Sequence, residues 1–403
     1  MSPPTNLPVR PTASDSPQPT GQRPPAISVP SAYELGGDYR PIGVVRPEEL
    51  ANPATAELDL PVKELEPLEA IPAAPRRALS NPPPYWAYAG EQAGIPPGHA
   101  LSIELAASRA IMLESEFGLI TRDGFLLQGA THGQQEDVIA RTVLGHRNWT
   151  QPVEIKGRAL LPFGRQGKDS YWHFTTGVIA NLLLAKRHGL FAQIDHIILP
   201  QFKRPVFIEM LRACGLPVSN VITLGEGQHV RFERLRIVSH TGLEESVPGW
   251  KWRDLHALGL AAAATETAPS PEKVLIYRRG GTRGFKNGEQ VARLCEQHGF
   301  QAFDLEGFTF AKQAALFARA KQVIAAHGSA LTNIFYCQPG TRVCEIFNPW
   351  YTVDYFRNLA IAGGLEHTAL VGPGVRPNIE IPSRLHDSIE VDLVLLRTWL
   401  EAS

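Results

Sequence analysis

The feature that most constrains the fold is a rhythm between residues 274 and 347. The short apolar runs 274–279 (VLIYRR), 300–305 (FQAFDL), 321–326 (KQVIAA) and 342–347 (RVCEIF) read as strands. Between them lie 288–299, 308–320 and 329–338, whose apolar positions recur at helical spacing. Strands joined by helices must pair in parallel, because a helical crossover returns the chain to the same end of the sheet. A doubly wound α/β sheet is therefore predicted for this half.

A similar alternation comes earlier. Phe174, Ile179, Leu182 and Leu183 mark a helix stopped at Gly189, 194–200 is a strand, 205–215 a helix, and 220–224 and 234–239 are strands. Before these, 103–128 reads as short strands with a turn at Arg122-Asp123-Gly124, a small β layer. Residues 258–272 look like a linker, with Leu258–Ala264 open to a helical reading. The last segment carries Leu385, Ile389, Leu393, Leu396 and Leu400 on one stripe and is expected to form a closing helix that reaches back toward the first domain.

The first 45 residues are rich in Pro, Ser and Thr and have too few large apolar side chains to offset the entropy of ordering, so they read as a disordered tail. The expected division is 1–95 as a Pro-rich, largely disordered lead, 96–262 as a first α/β domain, and 263–403 as a second with its closing helix. A net charge of -1 gives no pull toward nucleic acid or anionic lipid. No apolar run is long enough to span a bilayer, and the first twenty residues lack the apolar core of a secretory signal. The four cysteines form no C-x-x-C pair, so neither disulfides nor zinc is expected, and a cytoplasmic location is.

At 327–329 the chain places His-Gly-Ser between a buried strand and a short helix. Helix amino ends present free N–H groups and the positive end of the dipole, which suits a phosphate. Gly328 allows close approach to the backbone, and Ser329 and Thr332 offer hydroxyls. Spacing alone leaves a second reading open, a tight turn with Ser329 as helix cap.

The residues Arg278, Arg279, Arg283, Asn287, Gln313, Phe317, Ala320, His327-Gly328, Leu331-Thr332-Asn333, Pro339-Gly340-Thr341 and Glu345 together resemble the pattern of family-61 glycosyltransferases, which include capsular-polysaccharide, O-glycan and N-glycan transferases. The chain departs from that pattern at Ala326, where proline is usual, and at Ser329-Ala330, where Ala-Gly is. The resemblance implies a GT-B-like fold, with two facing Rossmann-like domains across a deep cleft. It implies an inverting, metal-independent transfer from a nucleotide-sugar donor, UDP-sugar above others, to a hydroxyl of a glycan or protein, with no cofactor and no metal ligands.

On the donor side, the resemblance points to Arg278, Arg283, His327, Gly328, Ser329, Thr332, Asn333 and Glu345, the last against a ribose hydroxyl. Arginine forks suit diphosphate oxygens and keep their charge when partly desolvated. On the acceptor side, Tyr171, Trp172 and His173 in DSYWHFTTG match a family motif, with His173 in the position of its histidine. The motif's carboxylate falls at Gly177, so His173 is expected to serve as base, a helix amino end disfavouring the imidazolium. The alternatives are packing roles for all three, and at the level of function a sugar-nucleotide epimerase or a glycan- or nucleotide-binding protein without catalysis.

Overall fold

The computed structural model describes residues 43–45, 62–68, 77–79, 98–113, 116–120, 122, 125–127, 151–162, 170–192, 194–240, 247–277, 283–373 and 387–402. It is a mixed α/β protein with two sheets. The expected tail, apart from 43–45, lies outside these residues, as do Asp123, Gly124, Arg278, Arg279 and Leu385.

The first sheet contains β1 (Gly43–Val45), β2 (Val62–Leu68), β4 (Gly98–Ala106), β5 (Arg109–Leu113), β6 (Glu116–Ile120), β7 (Phe125–Leu127), β8 (Val153–Pro162), β9 (His196–Pro200), β10 (Val221–Leu224) and β11 (His229–His240). Strands β11, β8, β9 and β10 pair in parallel, and β4 to β6 add an antiparallel layer through β11. The expected small β layer is thus continuous with the parallel strands. β11 joins the two halves and runs longer than the 234–239 expected of it.

The second sheet is parallel throughout, in the order β13 (Gln301–Phe303), β12 (Lys273–Ile276), β14 (Gln322–Ala326), β15 (Arg342–Phe347), β16 (Glu366–Val371), β3 (Ala78–Leu79). Numbered from β12, the first five strands lie in the doubly wound order 2-1-3-4-5, which reverses direction between β12 and β14. All four strands read from the 274–347 rhythm are present.

The helices read from spacing before Gly189 and at 205–215, 288–299 and 308–320 are present. The first, α1, comprises Tyr171–His173, a π-helical stretch Phe174–Ile179, and Ala180–Arg187. Within it the hydroxyls of Thr175 and Thr176 donate to the carbonyls of Tyr171 and Trp172, at 2.7 and 2.8 Å. Next come α2 (Pro205–Ala213), α3 (Gly249–Ala263), α4 (Gly288–Gln297), α5 (Phe310–Arg319), a 3-10 helix at Ser329–Tyr336, α6 (Tyr355–Ala362) and α7 (Leu393–Glu401). Among the described residues no helix is long and apolar enough to cross a membrane.

Two expectations need correction. Over Leu258–Ala263 the linker reading gives way to its helical alternative: these residues complete α3, which packs along α5 and the 3-10 helix. Alanine and leucine are good helix formers, and the Ala-rich composition that suggested a linker belongs to a helix end packed into the seam cluster. The closing helix starts only at Leu393, where the Asp392 carboxylate accepts from the N–H groups of Val394 and Leu395. It packs on α4, and Trp399 meets Phe300, so it stays with the second sheet.

One apolar cluster runs through the seam between the sheets. It takes Trp172, Phe174 and Phe207 from the first side, Trp250, Trp252 and Leu255 from α3, and Phe310, Leu331, Phe335, Tyr336 and Phe356 from the second. Trp250 and Trp252 thus fill the seam. All four cysteines are buried and unpaired, and burial pushes the thiols of Cys214 and Cys295 up to about 12.

Candidate functional site

In open α/β sheets, ligands bind beyond the carboxyl ends of the strands where the strand order reverses. Here that point lies between the ends of β12 and β14. The chain leaving β14 is His327-Gly328-Ser329, and the chain leaving β12 leads to Arg283. Gly328 caps the 3-10 helix, with no side-chain hydrogen bond at the cap, so Ser329 is not its capping group.

Strand register explains what gathers there. Ala326 pairs with Ile346, which sets His327 on the same face as Glu345 and Phe347 of β15. Val343 pairs with His367, which puts the His367 side chain on that face too. Nδ1 of His327 lies 2.5 Å from Oε1 of Glu345, and Nε2 of His367 lies 2.8 Å from Oε2. Each carboxyl oxygen thus meets one imidazole. Glu345 is fully buried, and His327 is 3% exposed. The His327 ring stacks on Phe347 with centroids 4.9 Å apart and meets the edge of Tyr351 at 5.0 Å.

Charge around this cluster is uneven. Burial, reinforced by the Asp354 carboxylate, pushes the Glu345 carboxyl well above its ordinary value, and Arg283 pulls it the other way. Burial, reinforced by Arg357, pushes the His367 ring down to about 4, against the pull of Asp354. Arg283 is half-buried over the Tyr351 ring, 5.7 Å from its centroid. Burial lowers its guanidinium from the ordinary value, while Tyr351 and Glu345 support the cation. Its Nε is buried with no hydrogen-bond partner among the described residues, and its φ of 61° is a left-handed conformation that costs a non-glycine residue about 1 kcal/mol or more. The following residues hold it in place: Ile389 N–H donates to the Gly284 carbonyl at 2.8 Å, and the Asn287 amide bonds both polar groups of the Val391 backbone.

The other expected residues are placed as follows. Thr332 is fully buried, and its hydroxyl has no hydrogen-bond partner among the described residues. Asn333 is also fully buried, and its amide accepts from the Tyr171 hydroxyl at 3.0 Å and donates to Gln313 at 3.1 Å and to the Ala330 carbonyl at 3.0 Å. The Tyr171 hydroxyl lies 3.4 Å from that of Tyr336, so Tyr171 sits in the seam. Trp172 packs against Phe335, Tyr355 and Phe356, and its indole N–H has no partner among the described residues. Phe356 in turn meets the His327 ring at 5.6 Å, so an aromatic chain links the head of α1 to the switch point. His173 is half-buried in the first turn of α1, where the Ser170 hydroxyl accepts from its N–H at 3.4 Å.

Two contributors escaped the sequence reading. Glu209 on α2 accepts from the Phe310 N–H at 2.5 Å and so caps α5 across the seam. His367, a single histidine on a strand outside every motif, carries no pattern that marks it. Among the described residues no group of three or more His, Cys, Asp or Glu is arranged to hold a metal ion.

The Tyr171–Asn333 bond gives a direct test of the seam. Tyr171→Phe should cost about 1 kcal/mol, one buried hydrogen bond, read as a lower urea midpoint. An unchanged midpoint would show that the bond contributes nothing to stability.

Parallel strands, a reversal point and a buried charge cluster beside it define the class: an α/β protein built to hold a ligand at its strand ends. Residues 171–344 match the family model described as Glycosyltransferase 61, so this stretch is similar to that glycosyltransferase family. The matched stretch runs from the head of α1 to the residue before Glu345. No curated protein matches the chain at a significant level.

Proposed function

We propose that the chain is an inverting, metal-independent glycosyltransferase of GT-B type, moving a sugar from a nucleotide-sugar, UDP-sugar above others, to a hydroxyl of a glycan or protein. The observation that carries the reading is the placement of Arg283 and the His327-Gly328-Ser329 turn on either side of the switch point, within the stretch that matches a glycosyltransferase family model.

In this reading the donor diphosphate lies against the amino end of the 3-10 helix. Arg283 and Arg278 neutralise its charge, and Thr332 offers its hydroxyl. The acceptor oxygen attacks the anomeric carbon from the face opposite the nucleotide. The bond from that carbon to the diphosphate oxygen breaks, and the leaving electron pair stays on the diphosphate, where the arginines and helix N–H groups stabilise it. The acceptor proton passes to His173 as the new bond forms. The reaction runs in the cytosol, where nucleotide-sugars are made. Gly177, buried in the π-helical stretch, supplies no carboxylate, which favours as second reading a chain that binds the nucleotide without turning it over.

A thermal-shift series with UDP and GDP, followed by transfer assays with and without a chelator, tests this. A ligand that binds only the folded state raises the midpoint. Failure of both nucleotides to raise it, or loss of turnover on chelation, refutes the proposal. Stabilisation by nucleotide with no turnover on any acceptor supports the second reading. His173→Ala should lower turnover roughly 10²- to 10⁴-fold and leave nucleotide affinity intact. Full turnover in this variant would exclude His173 as base.

A further inference from the structure

We propose that His367 is a positioning residue of the donor site: through Glu345 it fixes the ring of His327 beside the turn that receives the diphosphate. This rests on the reading of that turn as the donor site, and it assigns a role to a residue outside the matched stretch 171–344.

The geometry is that of a three-part brace. Glu345 has two oxygens and meets one imidazole with each, at 2.5 and 2.8 Å. A carboxyl group held at one oxygen only can rotate about its last side-chain bond; held at both, it cannot turn without breaking a contact. His367 therefore determines where the oxygen facing His327 lies. His327 is bonded through Nδ1, which turns Nε2 to the opposite side of the ring. Its own backbone N–H donates to the Ile346 carbonyl at 2.7 Å, so main chain and side chain are tied to β15 alike. Gly328 and the 3-10 helix follow directly, so a change in the ring's setting falls on the group next to the helix amino end.

His367 is itself well held. Its strand pairs with β15 over six residues, from Arg342↔Glu366 to Phe347↔Val371. A buried glutamate could be satisfied by any donor, but a second imidazole on the neighbouring strand is a rigid one, with a short side chain and little rotamer freedom to lose. Outer partners that orient metal-bound imidazoles commonly matter 10- to 100-fold in affinity or activity, and the same scale is expected for a ring held by the same kind of contact.

The test compares His367→Leu, which removes the hydrogen bond, with His367→Gln, whose amide N–H₂ stands near the position of Nε2. Binding of UDP and GDP is measured by calorimetry, and the His327 ring nitrogens are followed by ¹⁵N NMR. His367→Leu should weaken nucleotide binding about 10- to 100-fold and shift the His327 ring resonances. His367→Gln should restore most of both. In a His327→Ala background, His367→Leu should cost no further affinity, because it acts through the missing ring. Unchanged affinity and unchanged resonances in His367→Leu overturn the inference, and so does an equal loss in the His327→Ala background. If His367→Leu does not fold, His367→Asn replaces it, its amide standing at the Nδ1 position and out of line with Glu345. Wild-type protein that binds neither nucleotide would defeat the donor-site reading, whereas the ring resonances would still decide whether His367 sets His327.

Discussion

Arg283→Ala should weaken UDP and GDP binding about 10- to 100-fold. Hydrogen bonds to charged groups are worth about 1.5–3 kcal/mol, and each 1.4 kcal/mol is roughly a factor of ten. Arg283 meets the requirements for such a contact. Its charge acts on the buried Glu345, it lies over Tyr351, and its Nε has no hydrogen-bond partner among the described residues. The Glu345 carboxyl would lose an opposing charge and rise further. Arg283→Lys should recover only part of the affinity, because an ammonium cannot present a planar fork to phosphate oxygens. Calorimetry on the three proteins decides the matter; equal affinities would remove Arg283 from the site.

Gly259→Val should destabilise the protein by about 2–3 kcal/mol or more, and even Gly259→Ala should be unfavourable. The sign is the informative part. In an ordinary helix interior, replacing glycine by alanine gains about 1 kcal/mol. At Gly259 a Cβ would stand 2.0 Å from Cδ1 of Tyr336 and 2.6 Å from Cε1. The Tyr336 ring cannot step aside. It is fully buried, lies edge-on to Phe310 with centroids 5.7 Å apart, and its hydroxyl is 3.4 Å from that of Tyr171. Overpacking of about 1–3 kcal/mol therefore outweighs the propensity gain. The same close approach recurs at Gly363, where a Cβ would meet Cη2 of Trp252 at 2.2 Å. Urea unfolding of Gly259→Ala is the measurement, and a rise in midpoint would mean that α3 and the 3-10 helix are not in such contact.

Much of the second sheet was legible because parallel strands buried on both faces stand out as apolar runs between amphipathic helices, as 321–326 and 342–347 do. The seam was not. Helix α3 is apolar on most sides because it lies between two sheets, and its Ala-rich end looks like a linker when no partner is in view. The short strands β1, β2 and β3 were missed for another reason. They pair through backbone, which leaves little trace in side-chain pattern, and they lie among prolines. In the site, His327, Glu345 and Arg283 were visible as parts of a spaced pattern. That His327 and Glu345 bond each other follows from strand register, which is set by pairing between distant segments. His367 depends on register alone.

The same lead segment adds β2 to an outer strand of the first sheet and β3 to the edge of the second. A chain trimmed to begin at residue 96 would leave β4 and β16 each with a row of bare amide and carbonyl groups. Rows of that kind recruit further strands, often from neighbouring molecules. The proline-rich prelude thus works as a double hem, and a shortened protein should clump before it loses its core.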